Sequence, residues 1–411
     1  MKETRKKQRG RYVRAYNNLV DNRIIVNSLL ARLSSFIKYE KWDESKVNKG
    51  KPARSIQFRS YEYLYLTKAF MLPIVKVLKE TDVIVHGQRL QTVFTKNFDN
   101  PGIATCLRES WDSLLDPVAI CLDHSKFDGH YDELLLKMEH EHYQIFNTSR
   151  FFKYLLSLQI HNVGVTAGGI RYKCTGKRAS GEYTTSEGNG RLNYCMIKTF
   201  LDWLGIKDYR IHVNGDDSVV MVERKNARIV SDNVDYFNNF NMETEIEMVA
   251  EHFQQITYCQ SSPIRVNDGS GNLIWKMIKT PIRSMSRMAY AEVRYARIID
   301  RYIAGVALCE LACNMGVPIL QDHSVRALSW VTHSRPLGSI EKAPAQDALV
   351  GTLSIIPVLN ETREDFEVAF GIGIPEQLEY ESFTGAFQNT PEYSRVKLFI
   401  QKHRNFISKN V

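Results

Sequence analysis

The chain holds little cysteine: seven residues in 411, an odd number, widely spread and without a Cys-x-x-Cys pair. That predicts free thiols in a reducing compartment, and Cys309 and Cys313, four apart in the apolar run Ile303–Met315, read as core packing rather than ligands. No apolar stretch is long enough to span a bilayer; the longest lie near Ala69–Val77 and Ile303–Cys313. No signal-peptide pattern opens the chain, and there are no internal repeats and no low-complexity linker, so composition marks no domain boundary. Lysine is absent between Lys225 and Lys276.

Acidic residues are scarce at the front. Residues 1–60 carry 16 Lys and Arg against 5 Asp and Glu, so this segment holds +11 of a net +8 and the other 351 residues sum to −3. A basic front beside a nearly neutral body suggests a wall that faces a polyanion. Residues 1–14 fit a solvated tail as well as they fit template contact. From Lys38 to Arg59 the basic residues interleave with Tyr39, Trp42, Ile56 and Phe58, which favours an ordered binding surface. The 44% hydrophobic content is enough for a large multi-lobed core.

Three polar elements stand out against this background. In Tyr209–Val222, apolar and β-branched residues flank Asn214-Gly215-Asp216-Asp217, a hairpin with two carboxylates at its turn. Adjacent carboxylates repel each other, and a bound divalent cation would offset that repulsion. Upstream, the apolar run Val118–Leu122 ends in Asp123, with Asp128 five positions later. A strand ending in a carboxylate can bring it to the hairpin turn, where two carboxylates from different strands could hold two Mg²⁺ ions for in-line phosphoryl transfer. The plainer reading is an N-capped helix after a strand, with Asp123 or Ser125 as the cap. Between the two lies Ser180-Gly181-x3-Thr185-x3-Asn189, ahead of an amphipathic run from Arg191 to Leu204. Thr185 and Asn189 share a helical face at i, i+4, where a hydroxyl and an amide could meet a ribose 2′-OH.

In this order the three elements resemble the viral RNA-dependent RNA polymerases: Asp123-x4-Asp128 is similar to motif A, Ser180 to Asn189 to motif B, and Gly215-Asp216-Asp217 to motif C. Lys51-Pro-Ala-Arg54-Ser-Ile56-Gln-Phe-Arg59 resembles motif F. Tyr258-Cys259-Gln260 with Pro263 resembles motif E in the form seen in tombusvirus-like plus-strand RNA viruses, as does Ala369–Ile372 with Pro375-Glu376-Gln377 near the C-terminus. The likeness runs from about Lys51 to Glu381.

The resemblance implies an α+β right-hand polymerase with a small antiparallel palm sheet and a mostly helical thumb. Fingers would cover 1–115 and 131–177, palm 116–130 and 178–263, and thumb 264–411. It implies template-directed RNA synthesis from NTPs by two-metal-ion transfer, with Mg²⁺ or Mn²⁺ at Asp123, Asp216 and Asp217, and de novo initiation. Asp128, Ser180, Thr185 and Asn189 would surround the ribose, and Lys51, Arg54 and Arg59 the triphosphate. Ile56 would pack near the templating base, with Gly181, Cys259 and Gln260 beside template or primer. The implied partners are template RNA, the nascent strand, NTPs and other viral replicase proteins, with no DNA. The implied location is the host cell cytoplasm, at membrane-associated replication sites reached through a region or partner outside this chain. A reverse transcriptase is disfavoured by Asn189 and by the glycine before Asp216. A non-catalytic RNA-binding subunit is disfavoured because every metal carboxylate is present. Many such polymerases place a lysine in motif D. Here that stretch, Met242–His252, is acidic, and His252 reads as a surface histidine on a charged helix rather than as the general acid.

Overall fold

The computed structural model describes residues 6–337, 353–385 and 390–404, except 22, 24, 39, 41–43, 49, 51, 81–83, 86 and 289. In chain order the strands are β1 (Leu33–Ile37), β2 (Ser55–Phe58), β3 (Ile84–Val85), β4 (Gln88–Arg89), β5 (Pro117–Ser125), β6 (His161–Thr166), β7 (Arg171–Thr175), β8 (Tyr209–Asn214), β9 (Asp217–Glu223), β10 (Glu243–Ala250), β11 (Ser261–Asn267) and β12 (Leu273–Lys279). The architecture is mixed helix and sheet.

The chain forms two compact units: one of residues 1–96, 122–218 and 228–246, the other of 97–121, 219–227 and 247–411. The passages at 121–122, 218–219 and 246–247 fall inside β5, β9 and β10. A strand needs the same alternating composition on either side of such a passage, which is why no linker is visible in the sequence.

The first unit contains a four-stranded sheet ordered β2-β1-β6-β7. β1 pairs antiparallel with β2, setting Phe36 opposite Ile56, and parallel with β6. The basic front is ordered from Lys6 as a helix, Lys6–Val20, that lies on the helix Tyr61–Glu80. Ala15 is buried, Tyr12 meets Tyr61 edge-on at 5.5 Å, and the Arg11 guanidinium donates to the Tyr61 hydroxyl at 2.7 Å. Aromatic residues on one face thus hold the segment down, while Arg9 and Arg14 stay exposed. Behind these helices lies an apolar cluster of Met71, Ile74, Val75, Tyr143, Phe152 and Leu156.

The second unit packs the helix Asn100–Asp112 and the β11/β12 ribbon around Leu107, Phe253, Tyr258 and Met277. Its helix Ile299–Asn314 is buried nearly all round, with Cys309 and Cys313 inside the core as expected. Ala304, Gly305, Ala307 and Ala312 let neighbours approach from every side, so this helix needs no polar face. From Ser284 onward the described residues are mainly helical. All seven cysteines are free, and among the described residues no helix is long and apolar enough to cross a membrane.

The helices Glu133–Phe146 and Arg150–Ser157 are each started by a side-chain cap, Asp132 and Ser149. One local expectation changes. The acidic stretch after Met242 is the strand β10 rather than a helix. Glu243, Glu245 and Glu247 are exposed while Thr244 and Ile246 are partly buried between them, so a period of two prevails. β10 is an edge of the sheet β10-β5-β9-β8, and its glutamates guard that edge against further pairing. His252 is exposed and precedes a short 3₁₀ turn, where the Gln255 side chain accepts from the His252 backbone N–H at 3.1 Å.

Candidate active site

The candidate residues from Lys38 to Asp217 all fall in the first unit. β8 is buried from Tyr209 to Val213, and only two residues, Gly215 and Asp216, connect it to β9. Gly215 takes φ +73°, while Asp216 stays out of the left-handed region. One positive φ at the first central position is the pattern a glycine satisfies in a two-residue hairpin. Asp216 is then exposed at the tip.

A buried relay braces that tip from behind. Asn193, fully buried on the helix Thr185–Trp203, donates through Nδ2 to the carbonyls of Gly215 at 3.2 Å and Asp216 at 3.1 Å. Its Oδ1 is left to accept, so His124 Nε2, 2.9 Å away, carries the proton. His124 Nδ1 then accepts from the Thr244 hydroxyl at 2.8 Å. Burial pushes the His124 pKa down to about 4, so the ring stays neutral in the role the relay needs. Neither His124 nor Asn193 was singled out in the sequence. The alternation of His124 with Asp123 along β5 was the available signal.

Asp123 is exposed on β5 between the buried Leu122 and His124. The Asp216 carboxyl is held above the usual carboxylate range, first by desolvation and then by the charge of Asp123, with Arg54 and Lys38 opposing. The two carboxylates are therefore near enough to repel. Lys38, which opens the basic stretch of the sequence, stands beside Arg54: its backbone N–H donates to the Arg54 carbonyl at 2.8 Å, and both side chains reach Glu40, at 3.2 and 3.7 Å.

Among the described residues no three His, Cys, Asp or Glu side chains form a complete metal cage. Mg²⁺ keeps several waters and commonly binds through one or two carboxylates plus substrate phosphates, so it requires no such cage. Asp123 and Asp216 offer hard carboxylate oxygens, and such an ion would relieve the repulsion between them.

Asp128 and Asn189 meet. β5 ends at Ser125, Lys126 takes the left-handed conformation, and Asp128 lies in the short helix Phe127–His130. Asn189, one turn into its helix and 4% exposed, donates from Nδ2 to Asp128 Oδ1 at 2.8 Å. Its own Oδ1 is buried without a hydrogen-bond partner. Burial raises the Asp128 pKa, while the Asn189 bond and the Arg178 charge lower it and Asp216 and Glu182 raise it further. Thr185 and Ser180 serve the loop itself. The Thr185 hydroxyl donates to the Ala179 carbonyl at 2.9 Å, and Ser180 Oγ accepts from the Gln57 backbone N–H at 3.2 Å. The Gly181 N–H donates to the Gln57 carbonyl at 2.7 Å, so this loop is tied to β2.

Arg54 is exposed, consistent with an anion-binding role, and Ile56 is partly buried on β2. Lys51 lies outside the described residues. Asp217 opens β9. Arg59 does not fit the triphosphate role expected of it. It is 1% exposed and committed to Glu182, the Ala31 carbonyl and Asn162 Oδ1. Burial increases steadily along this stretch, from exposed Arg54 and Ser55 through partly buried Ile56, Gln57 and Phe58 to buried Arg59. Cys259 and Gln260 belong to the second unit, at a two-residue turn between Tyr258 and Ser261.

Comparison with known proteins points to one family. The family described as viral RNA dependent RNA polymerase matches residues 2–381. The RNA-directed RNA polymerase of melon necrotic spot virus is 31% identical over 358 residues, covering 83% of this chain and 44% of that protein. That of cymbidium ringspot virus is 28% identical over 385 residues, 90% of this chain and 45% of that protein. That of turnip crinkle virus is 30% identical over 300 residues, covering 71% and 37%. The chain thus spans less than half the length of these relatives.

Proposed function

The chain belongs to the viral RNA-dependent RNA polymerase family, and we propose on that footing that it carries the nucleotidyl-transfer site for template-directed synthesis of viral RNA from NTPs. Asp123 and Asp216, with Asp217 beside them, would hold Mg²⁺, for which Mn²⁺ would substitute; when bound it lowers the pKa of the attacking 3′-hydroxyl and neutralises phosphate charge. Arg54 and Lys51 take the triphosphate, a planar guanidinium binding phosphate oxygens bidentately. Lys38 adds charge on the same side. The Asn193–His124 relay keeps the hairpin tip from shifting as charge arrives, and such positioning supplies much of the rate in phosphoryl transfer.

The observation that carries the reading is the buried, unpartnered Oδ1 of Asn189, held in place by Asp128. An acceptor kept dry and open has a use if a ligand hydroxyl donates to it, and the ribose 2′-OH is such a donor. Ile56 would flank the templating base, with Cys259 and Gln260 supporting the growing strand. Template RNA, nascent strand, NTPs and other replicase proteins are the proposed partners. De novo initiation and cytoplasmic, membrane-associated replication sites in the host cell belong to the same proposal.

The test is incorporation of labelled nucleotides on a defined RNA template with Mg²⁺ or Mn²⁺, with and without primer, using ATP and dATP in parallel. Asn189→Ala should lower the NTP preference by about tenfold or more, since a site built around a hydroxyl rejects the analogue that leaves its polar groups unpaired. An unchanged NTP:dNTP ratio in that variant would show that Asn189 supports the fold and does not read the sugar.

A further inference from the structure

A buried ionic chain runs behind the Asp128–Asn189 pair. Arg59 pairs with Glu182, whose other oxygen lies 3.7 Å from the Arg178 guanidinium. Arg178 pairs with Glu139, and Glu139 also accepts from the hydroxyls of Tyr143 at 2.7 Å and Tyr131 at 3.1 Å. The four charged side chains are 4% exposed or less. Two cations and two anions balance, so each offsets the desolvation of its neighbours, and removing one strands a buried charge.

Its contacts reach Asp128 and the turn that carries Asn189. The Arg178 backbone N–H donates to the Asp128 carbonyl at 3.2 Å, and its guanidinium donates to the Thr184 hydroxyl at 3.2 Å, directly before the helix that carries Asn189. Gly188, the residue next to Asn189, packs on the ion pair itself. A Cβ there would stand 2.3 Å from Glu139 Oε1 and 2.7 Å from Arg178. Arg178 therefore holds Asp128 through its own backbone, and its side-chain pair with Glu139 seats the turn that presents Asn189.

We propose that Arg178 and Glu139 are positioning residues for sugar choice, holding Asp128 and Asn189 in register so that the unpartnered Asn189 oxygen meets a ribose hydroxyl. This rests on the reading of Asn189 given above. The ion pair touches no substrate; it acts through where it puts two residues that do.

The measurement is the ratio of kcat/KM for ATP over dATP in single-nucleotide incorporation, alongside template RNA affinity. Glu139→Gln keeps the shape and removes the charge. It should lower the ratio by about tenfold, the value of roughly one hydrogen bond, with RNA affinity unchanged. Tyr143→Phe removes one support of Glu139 and should lower the ratio by about two- to threefold. Arg178→Lys keeps the charge without the planar fork and should resemble Glu139→Gln rather than wild type. Added to Asn189→Ala, Glu139→Gln should change the ratio less than about twofold, because both act through one contact. Equal slowing of both nucleotides, with the ratio intact in Glu139→Gln and Tyr143→Phe, would overturn the proposal and leave the pair as packing. If Glu139→Gln does not fold, Tyr143→Phe and Gly188→Ala decide the matter by the same ratio. If Asn189→Ala itself leaves the ratio unchanged, the sugar reading fails and takes this inference with it. If Asn189→Ala lowers the ratio and the ion-pair variants do not, only this inference fails.

Discussion

Two two-residue turns in this chain reverse the backbone by different means. The turn Asn214–Asp217 gives its one left-handed position to Gly215, so its backbone is unstrained and its tip is held by Asn193 and His124. The turn Tyr258–Ser261, closed by mutual backbone hydrogen bonds of 2.9 and 3.0 Å, puts both Cys259 and Gln260 at positive φ, 51° and 61°. A side chain in the left-handed region costs about 1–2 kcal/mol per residue. Cys259 recovers part of that by packing against the core around Phe253 and Tyr258. Gln260 is exposed and recovers none. At the first turn the chemistry needs one side chain, Asp216, and glycine can take the strained place. At the second both places carry side chains, and the strain remains. A residue kept at such a cost suggests use, which agrees with the proposed contact of Cys259 and Gln260 with the growing strand.

The comparison can be broken most sharply at Asp216. Asp216→Ala, or Asp123→Ala, should reduce nucleotide incorporation by about a hundredfold or more while RNA binding changes little, because RNA affinity rests on the basic surface. Near wild-type incorporation by either variant would remove the carboxylates from the metal role.

Acid should weaken the fold around the first turn. His124 has a folded pKa of about 4, below the unfolded value near 6.5, so the unfolded chain binds more protons between those limits. Its contribution is fully present above about pH 6.5 and is lost as pH falls toward about 4, by about 3 kcal/mol at most. His212, buried with its Nδ1 at 2.8 Å from the Thr92 carbonyl and also lowered to about 4, adds to the same limb. Denaturant unfolding from pH 7.5 to 4.5 should show this slope, and His124→Gln should flatten it without abolishing it. An unaltered slope in that variant would mean that His124 takes up no proton on unfolding and is not held neutral by the fold.

Smaller effects separate the turns by strain alone. Gly215→Ala adds a Cβ with no heavy atom within 4 Å, so its cost of about 1–2 kcal/mol would be backbone strain only. Gln260→Gly should do the reverse, gaining about 0.5–1 kcal/mol after the extra chain entropy of glycine is subtracted, while slowing strand extension. Thermal unfolding of the two variants measures the difference. A destabilised Gln260→Gly would show that the Gln260 side chain supports the fold.

The sequence alone determined the order and spacing of the site: Asp123 and Asp128, Ser180 to Asn189, and Gly215 to Asp217. It also determined the hairpin at that last element and the buried helix holding Cys309 and Cys313. These are local facts, set by alternation, by i, i+4 spacing and by turn residues, and they need no partner from elsewhere in the chain. The strand at Glu243–Ala250 was legible in principle as a period of two, but its charge content imitated an exposed helix until a neighbouring strand fixed its pairing. Only the tertiary structure decided that Arg59 faces inward to Glu182 while Arg54 faces outward. It also decided that Lys38 stands beside Arg54, that His124 and Asn193 brace the hairpin tip, and that Gly188 rests on the Arg178–Glu139 pair. Each of these joins residues 10 to about 120 positions apart. Sequence spacing carries no record of such distant pairs, because burial and pairing energies act between surfaces that only folding brings together.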